Sequence, residues 1–165
     1  MDVDRFELET LIRNGQNEAF LELAKKLGPD RIKCHGTPED LAAIHWAASS
    51  GNLEIAEYLL SGDVNESANL TRNNNFSPLH AAAMFGLTDI VKLLITKGAN
   101  VNVQTEPQKY APIHSASFGG HLDTIKVLVN NGADLNLKNY RDERAIDTAR
   151  RQNQTETINY LEDLM

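Results

Sequence analysis

Cysteine is nearly absent from this chain of 165 residues, where Cys34 stands alone. An intramolecular disulfide is therefore excluded, as is a metal site of the paired-cysteine kind, and a reducing compartment is expected, the cytoplasm first and the nucleus beside it. No uncharged apolar run approaches membrane-spanning length, and the opening "MDVDRFELET" lacks both the basic start and the apolar middle of a secretion signal. A soluble intracellular protein with no membrane partner is the expectation. Asn65-Glu66-Ser67, Asn69-Leu70-Thr71 and Asn153-Gln154-Thr155 match the glycosylation acceptor pattern and read as chance matches in that setting. A surplus of positive charge is also lacking. Twenty-three acidic side chains against sixteen basic ones leave a formal charge of -7, so a phosphate backbone would meet net repulsion and nucleic acid is a poor default partner. The densest basic cluster, Arg141, Arg144, Arg150 and Arg151, is interrupted by Asp142, Glu143 and Asp147, as on an ordinary solvated surface.

Catalytic signatures are missing too. No phosphate-cradling glycine pattern occurs, and "FGG" at 118–120 reads as a turn between helices. Cys34 has His35 beside it, but neighbours in sequence are not the spatial pair that a nucleophile needs, and no acid is placed to orient the imidazole. Ser49, Ser50, Ser115 and Ser117 fall in helical slots without a base in evidence. His45, His80 and His114 invite a metal reading, yet equivalent residues on successive packed helices lie roughly 8–10 Å apart, whereas the ligands of one zinc ion reach to about 2.0–2.1 Å. They read instead as capping histidines bonded between backbone elements, while His35 and His121 pair with nothing identifiable. Neither enzyme activity nor any cofactor or metal is expected.

What the chain does have is a period. The tetrapeptides "AAIH", "SPLH", "APIH" and "RAID" end at His45, His80, His114 and Asp147, so the intervals are 35, 34 and 33 residues. Downstream of each comes "GNLEIAEYLL", "GLTDIVKLLI", "GHLDTIKVLV" and a degraded "NQTETINYLE". A period of this size means stacked supersecondary units rather than a globular core. Within one unit the pattern specifies two helices. In the first, Leu79, Ala82, Ala83 and Gly86 form a narrow stripe of small and apolar groups, Ser77 can cap the start and Pro78 can occupy the first turn, where its missing N–H is harmless. The second turns Ile90, Val91, Leu93 and Leu94 inward and Lys92 and Lys97 outward, carries Asp89 in its first turn and stops at Gly98, as its counterpart stops at Gly132.

These residues resemble the ankyrin repeat, whose T-P-L-H-x-A opening is approximated by "SPLHAA" and whose turn is matched by "GANVN" and "GADLN". The resemblance is strongest over 77–136 and implies an all-α solenoid of about five helix-turn-helix units with β-hairpin loops along one edge. The units fall at 1–36, an N-terminal capping pair with Leu8, Leu11, Ile12, Ala19, Phe20, Leu23 and Leu27 as its apolar set, then 37–69, 70–103, 104–136, and a C-terminal cap at 137–165. Polar Arg144, Asp147, Arg150 and Arg151 suit a last unit with no neighbour to cover it. Several positions depart from the family. Its threonine is replaced by Ala42, Ser77, Ala111 and Arg144, so only Ser77 can bond the histidine of its own tetrapeptide. The turn "SGDVN" is cut short, the loop "NESANLTRNNNF" is lengthened, and "NVQTEPQKY" has one extra residue and no glycine at its tip, so both loops are expected to have unusual shapes.

Function is then expected at the surface. At 100 degrees per residue, Ala81, Met84 and Phe85 lie opposite the stripe of Leu79, Ala82 and Ala83. Equivalent slots hold Trp46, Ser49 and Ser50 in one neighbouring unit, Ser115, Phe118 and Gly119 in the next, and Thr148, Arg151 and Gln152 in the cap. In the family these slots line a concave groove, and the residue just before the motif, Phe76, Tyr110 and by equivalence Leu41, faces the same groove from the base of the hairpin. Trp46, Phe76, Met84, Phe85, Tyr110 and Phe118 are thus the candidate partner-binding residues, an apolar strip with a polar rim. Trp46 could alternatively fill the gap beside the N-terminal cap, and Asn73, Asn74 and Asn75 read as a solvated finger tip. The resemblance implies an adaptor, scaffold or inhibitor that grips an amphipathic helix or extended peptide, and the acidic whole-chain charge favours a basic one. Two other readings stay open: a small-ligand, nucleotide or RNA sensor that stacks bases on the aromatic residues, and a structural, self-associating module.

Overall fold

A computed structural model describes residues 3–28, 43–61, 68–72 and 74–165. Cys34, His35, Leu41, Ala42, Asn73 and the cut turn at 62–65 lie outside the described residues. Ten helices appear among those described, arranged as five consecutive pairs: α1 Val3–Arg13 with α2 Asn17–Leu27, α3 Ala43–Ser50 with α4 Leu53–Leu59, α5 Pro78–Met84 with α6 Thr88–Thr96, α7 Pro112–Gly119 with α8 Leu122–Asn130, and α9 Ala145–Arg151 with α10 Thr155–Glu162.

The sequence pattern accounts for the ends of these helices. Ser77 caps α5, its hydroxyl 3.4 Å from the backbone nitrogen of His80, and Pro78 takes the first helical position. Beyond α6, Gly98 adopts φ 83°, and the Ala99 N–H bonds back to Leu94 O at 3.0 Å. This left-handed C-terminal turn favours a residue without a Cβ.

First helices pack on first helices along the series α1, α3, α5, α7, α9, and second helices pack on second helices, but less extensively. The stack therefore curves with the first helices on its inner side, and its core is a line of thin layers rather than one centre. Leu79, Ala82 and Ala83 of α5 and Ile90, Val91 and Leu94 of α6 are buried in it. In the N-terminal pair Leu8, Ile12 and Phe20 are buried, with Leu11, Leu23 and Leu27 packed against them. Ala19, expected among that apolar set, is exposed, and Ala24 is buried in its place. Phe20 and Ala24 are four apart and so share one face of α2.

Between units the chain projects as fingers, each held by two backbone bonds, the outer of which are Arg72 N to Phe76 O at 3.1 Å, Thr105 N to Tyr110 O at 2.9 Å, and Asn139 N to Glu143 O at 2.9 Å. Strands are absent among the described residues, so the fingers are turns and not ladders. Just before each closing carbonyl stands a residue with positive φ, Asn75 at 57°, Lys109 at 53° and Asp142 at 62°. The middle finger differs in shape from the other two, as expected: its closing bond spans one residue more and its Glu106–Pro107 peptide is cis, while the lengthened loop before it lies partly outside the described residues. The left-handed conformation is imposed on a lysine there.

Candidate functional site: a trench along the first helices

Three histidines fix where the fingers stand. His45 Nε2 donates to Phe76 O at 3.0 Å, His80 Nε2 to Tyr110 O at 2.9 Å, and His114 Nε2 to Glu143 O at 3.2 Å, each reaching the next unit's finger base. The opposite ring nitrogen faces back. His80 Nδ1 accepts from the Ser77 N–H at 3.1 Å and lies 2.8 Å from its hydroxyl, and His114 Nδ1 accepts from the Ala111 N–H at 3.1 Å. An imidazole that donates on one side and accepts on the other must be neutral. Burial, which disfavours the charged ring, pushes His45 and His80 down to about 4 against the opposing pull of their carbonyl bonds, and lowers His114 in the same direction. Among the described residues no group of three metal-ligating side chains comes together.

The far ends of the first helices are held by a second series of contacts. His121 Nε2 bonds to Met84 O at 3.0 Å, and Gln154 Nε2 lies 3.4 Å from Phe118 O. A Cβ at Gly119 would run into the His121 ring. These residues follow the glycine or glycine-like turn of each unit in register with Leu87, so the period itself marked their position, but nothing in their chemistry did.

With the carbonyls so engaged, the side chains above them point to solvent. Phe85 is 57% exposed, Phe118 52% and Met84 42%, large values for such residues. Met84 and Phe118 occupy the same slot on α5 and α7, and Arg151 occupies it on α9. Ala81, expected beside Met84 and Phe85, is buried instead, as are its counterparts Ser115 and Thr148. An inner helix is flanked by neighbours on two sides, so the face opposite the core stripe is narrower than a lone helix would present. These small residues make the floor of a trench between the helix ends and the finger bases.

Phe76 and Tyr110 stand on the finger side, both half-buried. Phe76 stacks on His80 at 5.5 Å between centroids and on His45 at 6.4 Å, while Tyr110 meets His114 and Tyr140 edge-on at 6.0 Å each. Trp46, in the floor row, is half-buried with the Arg13 guanidinium 4.4 Å over its ring, so it sits against the N-terminal pair. In the last unit Glu143 takes the place of Phe76 and Tyr110, and its carboxylate lies 3.4 Å from Arg151. That ion pair spans the trench from finger base to helix end.

A family model described as ankyrin repeats (3 copies) matches residues 8–105, and one described as ankyrin repeats (many copies) matches 113–162. The chain belongs to the ankyrin-repeat family. Among relatives, the ankyrin-repeat chain is 35% identical over 65 residues to the E3 ubiquitin-protein ligase hecd-1 of Caenorhabditis elegans, covering 39% of this chain and 2% of that protein. It is 42% identical over 66 residues to Delta-latroinsectotoxin-Lt1a of Latrodectus tredecimguttatus, covering 40% and 5%. With the 26S proteasome non-ATPase regulatory subunit 10 of Dictyostelium discoideum it shares 32% over 82 residues, 49% of this chain and 35% of that protein. The alignments thus span small parts of these relatives. Ankyrin repeats are in general modules for protein–protein interaction. None of the described helices is long and apolar enough to cross a membrane.

Proposed function

We propose that this ankyrin-repeat protein is a non-catalytic adaptor, scaffold or inhibitor that holds another protein in the trench, with Met84, Phe85 and Phe118 as the apolar contacts and Phe76 and Tyr110 as the finger-side wall. The single cysteine supports a reducing setting, the cytoplasm or nucleus. The observation that carries the reading is the exposure of two phenylalanines and a methionine on adjacent units, where the units on either side place serine, arginine and glutamine. Large apolar side chains gain nothing in water and are enriched where interfaces form. Trp46 contributes at most an edge, because Arg13 covers it.

The test is the double variant Phe85→Ala with Phe118→Ala. Both side chains are mostly solvated, so stability should change by no more than about 1 kcal/mol. Quantitative capture from native cells should lose the specific partners of the wild type while circular dichroism and the thermal midpoint stay in place. An undiminished set of partners on the folded double variant would overturn the assignment.

A further inference from the structure

The charge of the chain is not spread evenly. Residues 1–69 hold thirteen acidic and six basic side chains, and residues 70–165 hold ten of each. Within the latter, the fingers and first helices (70–86, 104–120 and 138–153) carry seven basic and four acidic groups, and the remaining stretches, which include the second helices, carry three and six. The fingers and first helices of the last three units thus carry a net positive formal charge although the whole chain is negative. The slot row of Met84 and Phe118 continues to Arg151 on α9. There the guanidinium is already answered by a carboxylate, Glu143 at 3.4 Å, with both side chains partly open to solvent.

We propose that the trench takes an extended segment with two large apolar side chains and an acidic residue in line with them, the carboxylate displacing Glu143 from Arg151. This deepens the trench reading above and rests on it. The spacing follows from the stack. Adjacent packed helices stand roughly 8–10 Å apart, and a segment extended in the polyproline II form rises about 3.1 Å per residue with three residues per turn, so residues three apart face the same way and one unit corresponds to about three residues. The recognised pattern is an apolar residue, a second apolar residue three further along, and Asp or Glu three beyond that, read in either chain direction. Glu143 serves as an internal stand-in for the partner's acid: it keeps Arg151 oriented when the trench is empty, and it costs the ligand a competition.

Fluorescence anisotropy decides this with short fluorescein-labelled peptides carrying leucines at that spacing and Glu, Gln or Lys at the third position, made in both orders. The Glu peptide should bind about tenfold tighter than the Lys peptide at low salt, and roughly 0.5 M salt should erase most of the difference. Arg151→Gln should abolish the preference while leaving the Gln peptide's affinity within about twofold, and Glu143→Gln should tighten the Glu peptide by roughly two- to fivefold. Opposite signs from the two variants cannot arise from unfolding. Equal binding of all three peptides, or a preference that survives Arg151→Gln, overturns the acidic assignment while leaving the trench intact if Phe85→Ala with Phe118→Ala still weakens them. Insensitivity to both the apolar and the charged variants, or no binding of any peptide, overturns the extended occupant itself.

Discussion

Where the second, third and fourth units carry His45, His80 and His114, the last carries Asp147, and where two of them place Phe76 and Tyr110 at the finger base, it places Glu143. The local half of the motif is the same in both settings. Asp147 accepts from the Arg144 N–H at 3.0 Å as His114 accepts from that of Ala111 at 3.1 Å. The outward half differs. A histidine has a second nitrogen to donate to the next finger, and a carboxylate has no such donor. The carboxylate instead meets Arg150 at 3.4 Å, and Arg150 continues to Glu162 at 2.7 Å. One position therefore does two jobs, capping its own helix and stitching to a neighbour, and the last unit keeps only the first.

Acid should break that comparison most strongly. His45 and His80 have folded-state values near 4 against about 6.5 unfolded, so the unfolded chain binds more protons between those values. The stabilisation is present in full above pH 6.5 and is lost as pH falls toward 4, by an amount of order 3 kcal/mol for each ring. Urea titrations from pH 7 to 4.5 should show a steep fall in unfolding free energy, shallower when His80 is replaced; a flat profile would mean the rings are not held neutral.

Next comes removal of one side chain at the two equivalent positions. His80→Ala strands the Tyr110 carbonyl and the Ser77 N–H and leaves a cavity, at about 2–4 kcal/mol. Asp147→Ala loses a cap and exposed ion pairs, at roughly 1 kcal/mol or less. Similar losses from both, measured by chemical unfolding at pH 7, would erase the distinction between inner and end units. The smallest effect concerns the fingers. Lys109→Gly relieves a left-handed lysine and should stabilise by roughly 0.5–1 kcal/mol, whereas Asn75→Gly and Asp142→Gly should gain less, because Asn and Asp tolerate that conformation. Thermal midpoints of the three glycine variants rank them directly.

The repeat length, the helix pairs, the histidine caps and the Ser77 bond were all readable, because each is a local pattern that the period repeats. What was not readable depends on a neighbour. Ala81 looks exposed on a helical wheel and is buried because α5 has helices on both flanks. Trp46 sits against the N-terminal pair, the alternative weighed for it, but its cover by Arg13 comes from the unit whose pattern diverges most. The lengthened loop and the glycine-free one looked irregular, and the middle finger does differ in span, yet all three place a left-handed residue, Asn75, Lys109 and Asp142, just before the closing carbonyl. Exposure of Met84, Phe85 and Phe118 followed from the slots, and the Glu143–Arg151 pair across the trench did not, since Glu143 was read only as an interruption of the basic cluster.

The inner helices α5 and α7 are each fastened to the following unit at both extremities, by a histidine near the start and by His121 or Gln154 at the last turn. A rod pinned at two points can neither tilt nor slide without snapping a fastening. The width of the cleft between these rods is therefore set before any visitor arrives, and a guest that fits loses only its own freedom on entering, not that of its host.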